Sequence, residues 1–240
     1  MEPMQIRQRA YASIKSTENG GEGTEKAVLD AQNPHWENTY ANNSEMYGQD
    51  ASAPAVYAAD FFKANGKQDI LELGAGQGRD TFFFAHKGFV VHALEYTNIG
   101  VAEIQKKAHE QGHSQNISAI RHDVREPLPF SSASLDACYA HMLFCMALTT
   151  ADLVFLSEEI KRVLKPKGLC VYTVRHTGDA HYKTGIHRGE DMYEAGGFIV
   201  HFFSREKVHA LADGFQVMDI VDFEEGELPR KLFRVTLKKI

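Results

Sequence analysis

The 240-residue chain has no uninterrupted apolar run near the ~18 residues that a helix needs to cross a bilayer, which argues against a membrane-spanning helix. Its opening, MEPMQIRQRAYASIK, lacks the apolar core of a signal peptide. Cysteine is scarce: Cys138, Cys145 and Cys170 are odd in number and show no Cys-x-x-Cys spacing, so neither a disulfide framework nor a zinc ribbon is expected. Cys138 and Cys170 sit in apolar strand-like runs, where cysteine acts as a small buried hydrophobe, and a reducing cytoplasm is the expected location. A surplus of basic charge is missing too. With 26 Lys and Arg against 32 Asp and Glu, the net charge of −6 does not suit a broad grip on a phosphate backbone, so no nucleic-acid partner is expected. Internal repeats and low-complexity tracts are absent. What remains is the composition of an ordinary soluble globular protein, 43% hydrophobic and 24% charged, long enough for one sizeable domain with an appendage.

The first 23 residues end in the glycine-rich STENGGEG, which reads as flexible or a loop. From Thr24, a capping residue, TEKAVLDAQNPHWENTY turns helical, with Pro34 interrupting it. Residues 52–66 read as a cleaner helix, with Ser52 or Ala53 at the cap, Pro54 in the first turn and Gly66 at the stop. From Asp69 onward strands alternate with helices. Strand-like runs fall at 69–74, 89–96, 117–123, 135–142 and 169–175, and helices at 78–87, 98–111 and 150–165. Helices of this length between strands imply crossover connections and a mostly parallel sheet. An irregular, glycine-rich stretch at 176–197 follows, then a helix near 204–212. The last two runs, 215–223 and 231–239, are joined by a link too short for a helical crossover, so the final strand is expected to be antiparallel.

The informative stretch is DILELGAGQGRDTFFFAHKG, residues 69–88. A strand runs into Gly74, Gly76 and Gly78, and a helix begins. Such a turn lets the backbone approach a ligand with no Cβ in the way, and the helix offers unpaired N–H groups. Dinucleotides and S-adenosylmethionine both use this arrangement. The dinucleotide fingerprint places its third glycine one residue later, where Arg79 stands here. Glu72, two residues before the turn, would repel a pyrophosphate but suits the ammonium of a methionine moiety. The spacing therefore favours S-adenosylmethionine. Glu95, ending the second strand, can accept from both ribose hydroxyls, a role that NAD would want equally. After the third strand, Asp123 can take the adenine amino group and Val124 can offer its N–H.

In this order, ILELGAGQGRD, ALEY, RHDVREPLPF, SLDACYAHMLFCM and VLKPKGLCVYTVR resemble the class I S-adenosylmethionine-dependent methyltransferases over about residues 52–240. The resemblance implies an α/β fold: a Rossmann-like, doubly wound sheet of seven strands, mostly parallel with the last antiparallel, preceded by an N-terminal helical extension. It implies cofactor contacts from Glu72, Gly74, Ala75, Gly76, Gly78, Glu95, Tyr96, Asp123, Val124 and His141. The final third is similar to a small-molecule branch that includes tellurite-resistance-type enzymes. Residues 1–51 are expected to form the extension, partly flexible and able to cap the site. Residues 52–240 are expected to form the cofactor-binding domain, with 176–203 a lid-like insertion.

Methyl transfer is an in-line displacement at a sulfonium, so the protein chiefly aligns two reactants and excludes water. Soft nucleophiles, such as a thiolate or a metalloid oxyanion, need no general base and are the favoured small-molecule acceptors; a hydroxyl or an amine would need one. His141, at the end of the fourth strand, is the candidate for orienting an acceptor or taking its proton. The same segment, YAHMLF, lacks the Asn- or Asp-Pro-Pro-aromatic motif of many amino-group methyltransferases. His187, Arg188 and Tyr193 in the lid are candidate acceptor contacts, and His201 is either a pocket residue or a satisfied core histidine. Trp36, Tyr40 and Tyr47 are candidates for a cap. Histidines and carboxylates crowd 175–194, but no metal-ligand spacing frames them, and no metal is expected. Two rival functions stand beside methyl transfer: a NAD-dependent oxidoreductase, and a catalytically idle cofactor-binding protein of the same fold.

Overall fold

The computed structural model describes residues 26–226 and 230–240. The glycine-rich stretch at 16–23 and the capping Thr24 lie outside them. Two short helices come first, α1 (Lys26–Asp30) and α2 (Gln32–Asn42). The break between them falls at Ala31, three residues before Pro34. This follows from the proline itself, which lacks the N–H that would bond the carbonyl of Asp30 and crowds that carbonyl with its ring. Next is α3 (Ala53–Ala64), capped by the Ser52 hydroxyl, which accepts the Ala55 N–H at 3.1 Å.

The main sheet comprises β1 (Asp69–Leu73), β2 (Val90–Glu95), β3 (Ile117–Arg121), β4 (Leu135–His141), β5 (Leu164–Arg175), β9 (Phe215–Glu225) and β10 (Arg230–Lys239). Its order is β3-β2-β1-β4-β5-β10-β9. The first five strands are parallel and β10 is antiparallel to both neighbours. Three crossover helices, α4 (Arg79–His86), α5 (Asn98–Glu110) and α6 (Thr150–Val163), and then α7 (Arg205–Leu211) link these strands. The sheet is doubly wound as expected, and strand alternation divides the core between its two faces. Ile70, Ala137, Tyr139 and Val171 pack with Phe62 and Phe84 on one side; Leu71, Leu73, Cys138 and Cys170 pack with Leu153, Leu156 and Val208 on the other. The Phe82–Phe84 run is thus core packing, and all three cysteines are free and buried.

The stretch 176–197 is not the irregular loop its glycine content suggested. It forms a second, three-stranded antiparallel sheet with β6 (Ile186–His187), β7 (Met192–Ala195) and β8 (Phe198–His201). Ala195 pairs with Phe198, and the two residues between them, Gly196 and Gly197, have φ of 60° and 84°. Two successive positive φ angles make the tight hairpin turn whose twist matches the flanking strands, a signal present in EAGGFIV.

Gly78 caps α4 with φ 89°, and a Cβ there would lie 2.8 Å from Ile104 and 3.0 Å from Phe82. We expect Gly78→Val to cost about 2–4 kcal/mol of stability, from backbone strain and overpacking together. Urea titration of the purified variant checks this, and an unchanged midpoint would refute the packing role.

Candidate active site

In an open α/β sheet, ligands sit beyond the carboxyl ends of the strands where the strand order reverses. Here that point lies between β1 and β4. A cavity of about 1420 Å³ opens there, exceeding the ~300–1,000 Å³ of a typical single-ligand pocket, so it has room for a cofactor and an acceptor together. Most of the residues picked out in the sequence line it: Glu72, Gly74, Ala75, Gly76, Glu95, Tyr96, Asp123, Val124 and His141, with Trp36, Tyr40, Tyr47 and Tyr193.

The glycine turn is held by its neighbours. Glu95 is buried, and its Oε2 accepts the Gly76 N–H at 2.8 Å while Oε1 accepts both the N–H and the hydroxyl of Thr97 at 2.9 Å. A carboxylate has about four lone-pair sites, and the Tyr96 backbone N–H is a further donor, so a ligand hydroxyl would have to share them. Gly76, with φ 58°, faces Tyr40: a Cβ added there would lie 3.2 Å from the tyrosine oxygen. Glu72 is also buried and accepts the Thr81 hydroxyl at 2.5 Å. Burial, then the Asp80 charge, pushes its carboxyl up to about 8. A cationic ligand group would stabilise the ionised form.

Asp80 was not foreseen. It is buried beneath the turn, where it accepts the N–H and hydroxyl of Ser52 at 2.9 and 2.7 Å and the Tyr139 hydroxyl at 3.0 Å, with Arg79 Nε at 3.1 Å. Despite burial, Arg79 and these donors hold its carboxyl below the usual range. The signal was an acidic residue in the first turn of the helix after the glycines, where the helix dipole favours it.

Two expected contacts, His187 and Arg188, do not reach the cavity, Gly78 is a third departure, and of the two places left open for His201 the structure has it in the core. His187 is exposed, with its ring 4.9 Å from that of Tyr193. Arg188 is turned to Glu194, 2.7 Å away. His201 is a satisfied core histidine: Nδ1 donates to the Leu148 carbonyl at 2.7 Å, and Nε2 accepts from Lys207. Burial, then the Lys207 charge, pushes its imidazole down to about 3, so it stays neutral. Gly78 lies behind the turn and owes its place to packing rather than to ligand approach. Asp123 lines the cavity, but Arg125 already holds both its oxygens, at 2.7 to 3.1 Å, and keeps its carboxyl ionised. An adenine amino group there would have to share those oxygens.

Beyond the cofactor residues, the wall is apolar and aromatic: Met142, Leu143 and Met146 from the β4 end, and Phe198, Val200 and Phe202 from the lid. Charged residues here were also missed, among them Arg175, Glu225 and Arg230. β9 lies antiparallel to β10, which is antiparallel to β5, so β9 ends at the same sheet edge as β4. The strand-end reasoning that found Glu95 would have found Glu225 had the strand order been known. Glu225 Oε1 lies 3.3 Å from His141 Nε2, and the Thr173 hydroxyl lies 2.8 Å from Nδ1. Among the described residues, no group of three or more His, Cys, Asp or Glu could hold a metal ion, and no helix is long and apolar enough to cross a membrane.

Residues 70–168 match the family model described as a methyltransferase domain. This segment is therefore similar to a methyltransferase domain, and the strand order around it is that of the class I fold. No curated protein matches the chain. Solved structures show the same fold at low identity. One is a Burkholderia thailandensis 1,6-didemethyltoxoflavin N1-methyltransferase holding 1,6-didemethyltoxoflavin and S-adenosylhomocysteine (19% identity, TM-score 0.69, 92% of each chain covered). Another is an S-adenosylmethionine-dependent methyltransferase from Clostridium acetobutylicum (14%, 0.66, covering 84% of this chain and 98% of that one). A third is the [4+2]-cyclase SpnF (17%, 0.67, covering 92% and 99%), whose name shows that the fold alone does not fix the reaction.

Between pH 4.5 and about 8 the folded protein keeps a proton on Glu72 that the unfolded chain releases, so this residue lowers stability as pH rises through that window. Glu72→Gln should therefore gain stability relative to the parent on going from pH 5 to pH 8. Urea unfolding at both pH values measures it, and an equal difference at the two would show that Glu72 is not perturbed.

Proposed function

We propose that the chain moves a methyl group from S-adenosylmethionine to a small, planar acceptor whose nucleophile carries an O–H or N–H proton. Methyl transfer from this donor rests on the matched domain; the acceptor class rests on the cavity. The carrying observation is that an apolar, aromatic stretch of the wall meets a polar corner where Glu225 and His141 stand together beside the β4 end.

The chain fits the donor. The Gly76 position leaves space where a Cβ would sit, and Glu72 offers a buried carboxylate for an ammonium group. Glu72, Asp80 and Glu95 around one glycine turn oppose a pyrophosphate, which disfavours the NAD reading. When bound, the donor supplies an activated methyl group on a sulfonium. The residues of this chain would then hold its amino acid end at Glu72, brace its ribose beside Glu95, and exclude water with Trp36, Tyr40 and Phe198. A thiol or metalloid oxyanion is the second acceptor class, but it would leave the Glu225–His141 pair without a task. Net charge −6 favours a small molecule over nucleic acid. A cytoplasmic location belongs to the same proposal, supported by three free, buried cysteines.

Calorimetric titration with S-adenosylmethionine, S-adenosylhomocysteine and NADH tests the donor. We expect binding on the order of micromolar for the two adenosyl ligands and none for NADH. Gly76→Val should abolish it. NADH binding alone would overturn the reading. Formation of S-adenosylhomocysteine with hydroxylated and N–H heteroaromatic acceptors then tests turnover, and its absence with every acceptor would favour an idle cofactor-binding protein.

A further inference from the structure

We propose that Glu225 is the proton acceptor of the transfer and that His141, the residue the sequence favours, is a positioning residue. This rests on the methyl-transfer reading above. The hydrogen bonds at the two ends of the imidazole decide the point. Nε2 faces Glu225 Oε1 at 3.3 Å, a carboxylate oxygen that can only accept, so Nε2 carries the proton. The Thr173 hydroxyl, whose Oγ1 accepts the Met142 N–H at 2.9 Å, can donate to Nδ1, 2.8 Å away. An imidazolium would also carry a proton on Nε2. In neither state does His141 present a bare nitrogen toward the carboxylate corner of the cavity.

Glu225 does present a free acceptor. His141 is its hydrogen-bond partner among the described residues, leaving Oε2 open, and the carboxylate is three-quarters shielded from solvent. The His141 hydrogen bond, with the His141, Arg79 and Arg230 charges, outweighs burial and holds it below the usual carboxyl range, so it is ionised at neutral pH. A weak base suffices here because the nucleophile's proton becomes acidic as the methyl bond forms. The balance is simple. The acceptor's lone pair forms the bond to the methyl carbon, the pair of the breaking carbon–sulfur bond goes to sulfur, and the acceptor's O–H or N–H proton passes to Glu225 and then to solvent.

Two measurements test this. In histidine-15N spectra of the whole protein, with His141 assigned by His141→Gln, its Nε2 should be protonated; a bare Nε2 with protonated Nδ1 would overturn the proposal. Second, parent and Glu225→Gln, first shown by calorimetry to bind S-adenosylhomocysteine equally, are compared on 1-naphthol, whose nucleophile is protonated at neutral pH, and on 4-nitrothiophenol, already a thiolate. The naphthol-to-thiolate rate ratio should fall by about 100-fold or more in the variant, the scale of a lost general base. An unchanged ratio would overturn the proposal. Failure of the parent to methylate either probe would count against the acceptor class instead, leaving the spectra to decide the protonation.

Discussion

The structure depends on one constraint, the turn that carries the chain from β1 into α4. Gly74, Gly76 and Gly78 all have positive φ, at 70°, 58° and 89°, so the backbone between strand and helix coils through a region that side chains avoid. Such a turn is costly unless something holds it. Glu95, from the next strand, binds the Gly76 N–H and fixes β2 to the turn, while Asp80 below ties it to Ser52 and Tyr139 and so to α3 and β4. Three carboxylates, Glu72, Asp80 and Glu95, are buried around one short loop. Each has compensating hydrogen bonds, which is the condition for burying such groups. Glu72, whose carboxyl is pushed by burial up to about 8, would be ionised by a cationic ligand group, so the loop suits such a group better than a pyrophosphate.

The second wall depends on the first. Residues 26–51 lie along the cavity and join the small sheet. Gln32 is buried, donating to the Gly197 carbonyl at 2.9 Å and accepting from the Ile199 N–H at 3.2 Å, so one side chain takes both backbone groups of the β8 start. Trp36 and His35 pack on Phe198, with ring centroids 4.8 and 4.3 Å away. Glu37, one turn on, accepts the N–H groups of Asn98 and Ile99 at the start of α5. Residues 26–51 are thereby fastened to the small sheet at one end and to the start of α5 at the other.

Much of this was legible in the sequence, because it was local. Glycine spacing, strand-end carboxylates, the cap at Ser52, and the short link between the last two strands each announce themselves within a few residues. The errors have one physical origin. His187 and Arg188 were placed by segment, and a segment does not say which way a strand turns its side chains; along β8 they alternate, so Phe198 and Val200 line the cavity and His201, whose place the sequence left open, faces the core. The glycines at 196 and 197 were read as disorder of pattern when they were a two-residue hairpin.

What was not legible was assembled across distance. Glu225 meets His141 over 84 positions of chain because β9 returns parallel to β5 with β10 between them. Nothing local in EEGELPR marks that carboxylate as different from its neighbour Glu224, which points the other way on the strand. The antiparallel insertion of β10 is therefore more than a topological signature. It delivers the end of β9, with Glu225, and its own start, with Arg230, to the edge where β1 and β4 already place Glu72 and His141. A parallel final strand would have sent its start to the opposite edge. The strand order that defines the class thus also completes the acceptor end of the cavity.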